Sequence, residues 1–118
     1  MAAISNLYID AGSTFSAIVT VRGSDGNVLN LTDFTVASQI RKSYSATTAY
    51  SLNATVYDAI TGKVRITLPA ATSSGMKPGR YLYDIEVIAP APDDDQRLRV
   101  VEGLVIITPQ ITKISYGR

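Results

Sequence analysis

Apolar and polar residues alternate with a period of two along most of this chain, which is the pattern of strands with one face buried. From Thr14 to Arg22, Phe15, Ala17, Val19 and Val21 share a face opposite Ser16, Ile18 and Thr20. Val28–Leu31 reads as a short strand after the Asp25-Gly26 turn. Thr35–Lys42 places Val36 and Ile40 inward and Gln39 and Arg41 outward. Tyr50, Leu52, Ala54 and Val56, then Val64, Ile66 and Leu68, form the inner rows of a hairpin. The clearest strand follows Pro78-Gly79, with Tyr81, Tyr83, Ile85 and Val87 on one face. A last strand is expected from about Arg97 to Thr108, with Gly103 as a bulge or a point of close approach. Only Pro69–Lys77 suits a helix, and its Thr72-Ser73-Ser74-Gly75 limits it to about one turn.

About seven to eight short strands with regular turn signals predict an all-β antiparallel β-sandwich wet on its outer faces. The 118 residues suit one domain, and a hydrophobic fraction of 46% is enough to fill a core. The predicted organisation is a single domain over 1–118, with short docking segments at 1–10 and 109–118. Ile4, Leu7 and Ile9 at one end, and Ile111, Ile114 and Tyr116 at the other, are apolar residues in segments too short to fold alone. They suit docking, either onto the chain's own sheet edge or onto a partner.

The chain has no His and no Cys, which excludes thiol nucleophiles, disulfides and zinc sites built on those residues. Eleven Lys and Arg against ten Asp and Glu leave a charge of +1, and the bases are scattered, so nucleic acid is not an expected partner. Neither a signal peptide nor a membrane-spanning run is expected; apolar runs such as Leu104–Ile107 fall far short of the ~20 residues a span needs. Synthesis in the cytoplasm is expected.

Few residues suggest chemistry. Asp93-Asp94-Asp95 lacks the alternating acids, Gly and distal Glu of a calcium loop and reads as a solvated turn. Asp84 and Glu86 share a strand face and could form an acid–base pair, or be neutralised across strands by Arg80, Lys63 or Arg65. No Ser-x-x-Lys and no phosphate loop is present. The expectation is a non-enzyme without metal, cofactor or catalytic residues. The seven Tyr are more informative. Tyr81 and Tyr83 suit the core, with Tyr81 as a tyrosine-corner residue. Tyr8, Tyr44 and Tyr116, with Ile111 and Ile114, are the candidate partner contacts, since amphipathic rings are enriched at protein interfaces.

Three stretches carry a family resemblance: Gly26-Asn27-Val28-Leu29-Asn30-Leu31-Thr32-Asp33-Phe34, Ala37-Ser38-Gln39-Ile40-Arg41-Lys42 and Lys77-Pro78-Gly79-Arg80-Tyr81-Leu82-Tyr83-Asp84-Ile85. Together they resemble small virion proteins of tailed phages, including cyanophages, and the immunoglobulin-like N-terminal domain of phage baseplate upper proteins. The resemblance covers roughly residues 4 to 112. It implies an immunoglobulin-like fold and a multi-copy structural component of the virion that binds tail, baseplate or capsid proteins. A tail or baseplate adaptor is the first expectation and a capsid decoration protein the alternative. A carbohydrate-binding module is the alternative from another class. The shared motifs make the fold, so no site residues transfer.

Overall fold

The computed structural model describes residues 3–23, 25–90 and 96–109. Among these residues eight strands run in chain order as β1 (Ala3–Ile4), β2 (Leu7–Asp10), β3 (Phe15–Thr20), β4 (Thr35–Arg41), β5 (Ala49–Asp58), β6 (Lys63–Leu68), β7 (Gly79–Ile88) and β8 (Arg97–Thr108). One short helix, α1 (Ala70–Ser74), joins β6 to β7. Hydrogen-bonded neighbours follow the order β1-β8-β7-β4-β5-β6-β3, with β2 also beside β8.

This path folds into two sheets because β5 changes partner midway. Its first half pairs with β4, at Leu52 opposite Ser38, and its second half pairs with β6, from Asn53 opposite Thr67 onward. The larger sheet is therefore β1/β2-β8-β7-β4-β5 and the smaller one β5-β6-β3. An arrangement with β8-β7-β4 in one sheet and β5-β6-β3 in the other is that of an immunoglobulin-like sandwich. Both sheets feed one core, in which Ile40, Ile66, Leu68, Ile85 and Val105 are fully buried. The expected inner rows of β3 to β7 face that core, including Tyr81, Tyr83, Ile85 and Val87.

Tyr81 donates its hydroxyl proton to the Lys77 carbonyl at 2.8 Å, the back-bond of a tyrosine corner. Its ring meets Tyr50 edge-on, with centroids 6.3 Å apart. In α1, the buried Ser73 hydroxyl accepts the Gly12 N–H at 3.0 Å and donates to the Ser13 carbonyl at 2.9 Å. The single helical turn thus fastens the bend between β2 and β3.

Two expectations need correction, and the two alternatives for Gly103 are decided. Val28–Leu31 is not a strand: only one bridge, Arg22 to Val28, forms there. The Asp25 and Asn30 side chains take the Asn27 and Thr32 N–H groups, and these local bonds compete with a ladder. Nor is the sheet wholly antiparallel, because β1 and β2 both lie parallel to β8. The bulge in β8 falls at Val100, where Ile85 pairs Val101 but Glu86 pairs Arg99. Gly103 is instead the close-approach point, since a Cβ there would lie 2.2 Å from the Ser5 carbonyl oxygen.

Candidate functional site

Of the five candidate contact residues, Tyr8 and Tyr44 lie among the described residues. Ile111, Ile114 and Tyr116 lie outside them, as does Asp93-Asp94-Asp95. Tyr8 and Tyr44 border the same surface, the outer face of the larger sheet.

The register establishes this for Tyr8. Leu7 and Ile9 are buried opposite Val105 and Ile107, so Tyr8, between them, points outward beside Ile106 and is 70% exposed. The N-terminal segment thus docks on the chain's own sheet through its inner row, while its outer row stays uncovered. Ser5 donates its N–H to the Glu102 carbonyl at 2.9 Å. The Asn6 Oδ1 accepts the Leu104 N–H at 3.0 Å, carrying the connection across the break between β1 and β2.

Tyr44 stands in the loop after β4, 75% exposed, at the rim of a groove of about 510 Å³. Outward-facing residues of four strands form its floor: Gln39 of β4, Ser51 of β5, Leu82 and Asp84 of β7, and Glu102 of β8. Arg41 is anchored at one side, donating to the Ala46 carbonyl and, at 3.1 Å, to the Gln39 Oε1.

The groove's main charge contact joins residues the sequence did not connect. Arg99 donates from Nε to the Asp84 carboxylate at 3.1 Å and lies 3.7 Å from the Glu102 carboxylate. Asp84 therefore pairs with Arg99 and not with Arg80, Lys63 or Arg65; the last two lie on β6 in the other sheet. The Val100 bulge explains the partner. In an unbroken register Arg99 would fall opposite Val87 on the inner row, and the extra residue shifts it to face Glu86 on the outer side. Asp84 and Glu86 share that face as expected, but the Asp84 carboxylate is engaged by Arg99 instead of converging with Glu86. A half-exposed contact of this kind orients side chains more than it stabilises the fold.

Elsewhere, Tyr57 is about half exposed on the outer side of the smaller sheet, with the Arg65 guanidinium 4.7 Å from its ring centroid. Burial raises the pKa values of Tyr81 and Tyr83 above the usual tyrosine range, and these rings are core and not surface groups. Among the described residues no group of three acidic side chains is placed to hold a metal ion. The surface assembled here carries an exposed ring at the rim, amide and carboxylate groups on the floor, and leucine between them.

No protein-family model matches the sequence, and no curated protein matches it. Among solved structures, the chain is similar to the extracellular domain of the voltage-gated sodium channel β4 subunit, described as a parallel homodimer with a role in cell–cell adhesion. That likeness has 12% identity and a TM-score of 0.44, over 94% of this chain and 96% of that one. A second structure, from work on cell-adhesive interactions of sodium-channel β subunits, matches at 12% identity and a TM-score of 0.41, over 92% and 93% of the two chains. A third is a family 123 glycoside hydrolase from Clostridium perfringens, at 12% identity and a TM-score of 0.41; 91% of this chain matches 23% of that enzyme. Similarity at this level carries no inference about what this chain does.

Proposed function

We propose that this chain is a non-enzymatic structural protein of a tailed-phage virion, a tail or baseplate adaptor that binds neighbouring virion proteins through the outer face of its larger sheet. The observation that carries the binding surface is the presence of two exposed tyrosines, Tyr8 and Tyr44, on that one face. Large amphipathic rings exposed at one face are suited to burial in a contact. The virion context is supported by the sequence resemblance centred on Asp33-Phe34, Ile40-Arg41 and Pro78-Gly79-Arg80-Tyr81.

The test is quantitative mass spectrometry of purified particles. A few to some dozens of copies per particle supports the adaptor, whereas hundreds indicate capsid decoration or a major tail component. Absence from the particle overturns the virion reading. Particles assembled with Tyr8→Ser and Tyr44→Ser should incorporate less of the protein while its melting temperature is unchanged. Saccharide binding is the reading from another class, favoured by Tyr44 standing beside the polar groove; a glycan array whose signal is lost in Tyr44→Ser would support it.

A further inference from the structure

The two sheets treat their edges differently. On the larger sheet, the β1/β2 edge is interrupted at Ser5-Asn6, where a side chain replaces the ladder, and it closes on a charge at Asp10. Short segments, breaks and charges are the usual means by which an edge discourages further pairing. On the smaller sheet, β3 ends the strand order, with no strand on its far side among the described residues. Its six residues, Phe-Ser-Ala-Ile-Val-Thr, contain no charge, no proline and no glycine, and its pairing with β6 runs from Phe15–Leu68 to Thr20–Lys63 without a bulge. It therefore offers a regular free edge about 20 Å long. Phe15, Ala17 and Val19 on its inner face are only partly buried, and Ile18 on its outer face is 47% exposed.

We propose that β3 pairs antiparallel with β3 of a second copy of this chain, making a two-fold dimer whose smaller sheets join into one continuous sheet. The occupant follows from what the edge demands: an uncharged, unbroken strand with the same alternation, which this chain itself supplies. Inner residues must face inner residues, and this parity admits few two-fold registers, because a one-residue slip turns every side chain to the wrong side. An axis beside Ala17 would set Ile18 against Ser16 of the partner subunit. An axis beside Ile18 sets Ile18 against Ile18 of the partner subunit, Ser16 against Thr20, and Ala17 against Val19. The second register covers the exposed isoleucine with another and matches hydroxyl to hydroxyl, so it is the one assigned. The dimer is a property of the purified protein and does not depend on the virion reading.

The absence of cysteine makes the register directly testable. Residues directly opposite in an antiparallel pair lie within disulfide reach. Under mild oxidation, Ile18→Cys should yield a covalent dimer. Ser16→Cys and Thr20→Cys should each form no disulfide-linked dimer alone and cross-link when mixed. Light scattering should find the unmodified protein dimeric, and Ile18→Lys or Ser16→Lys monomeric with unchanged circular dichroism; two separate edge charges guard against one variant failing to fold. Cross-linking of a Ser16→Cys with Ile18→Cys mixture, without an Ile18→Cys homodimer, would overturn the register. A monomeric unmodified protein that gives no Ile18→Cys disulfide would overturn the dimer, and would leave the edge to a strand from elsewhere.

Discussion

The hydroxyl of Tyr83 donates a 2.6 Å hydrogen bond to the carbonyl of Ser5, 78 residues earlier in the chain. A core ring of β7 thereby holds the joint between β1 and β2 against β8. Replacing Tyr83 with Phe keeps the ring and removes only the donor. The expected loss is about 1–3 kcal/mol, the cost of leaving a partly buried acceptor unpaired. It should appear as a lower urea midpoint with an unchanged slope.

The same Ser5 carbonyl lies where a Cβ on Gly103 would stand, 2.2 Å away, with Asn6 Oδ1 at 3.0 Å. Gly103→Ala must push the β1–β2 joint off β8. Overpacking of this sort costs about 1–3 kcal/mol. The effect should be local: hydrogen exchange should quicken in residues 3–6 and at Leu104, while the β4–β7 ladder keeps its protection.

Alkaline pH should loosen the fold through Tyr81 and Tyr83. Burial raises both above the ordinary value of 10.0, reinforced at Tyr81 by Tyr50 and opposed at both by the hydrogen bonds to Lys77 and Ser5. The unfolded chain then releases these protons first and holds fewer of them than the folded one, so stability falls as pH rises. The contribution is intact below pH ~10 and is lost as pH climbs from there through the folded-state values. Melting temperature should decline above pH ~10, and Tyr83→Phe should flatten part of that decline.

Arg99→Ala should separate binding from stability. Its contacts with Asp84 and Glu102 are partly exposed, so the fold should lose less than ~1 kcal/mol. The groove floor, in contrast, gains an unpaired carboxylate at Asp84. Retention on a partner bound through the outer face should change while the thermal melt barely moves; a large loss of stability would contradict this account of the pair.

Alternation makes the inner rows legible in the sequence, because Tyr81, Tyr83, Ile85 and Val87 can all be buried only on one side of one strand. Pairing was harder to read. Leu7 and Ile9 alternate with Tyr8 and Asp10 in a way that suits any sheet edge, and nothing local names β8 as the acceptor or parallel as the sense. The Asp84–Arg99 contact depends on a bulge at Val100, beside Arg99, which nothing in the local sequence marks. The two-sheet role of β5 has no marker either, since its alternation continues through the switch at Leu52–Asn53. One motif gains its reason from the backbone: Asp33 has φ of 65°, a left-handed conformation that Asp tolerates better than most residues, which suits it to the turn before Phe34.

The parallel pairing of β2 with β8 also has a consequence for how the chain is made. Asp10 and Thr108, joined by a 2.6 Å side-chain bond, are 98 residues apart, so β2 can be seated only after nearly all of the described sequence has been translated. At about 5–20 residues per second, Leu7 and Ile9 wait roughly 5–20 s without the strand that buries them. On a crowded polysome, neighbouring nascent copies have that interval in which to lend a β8 to the wrong chain.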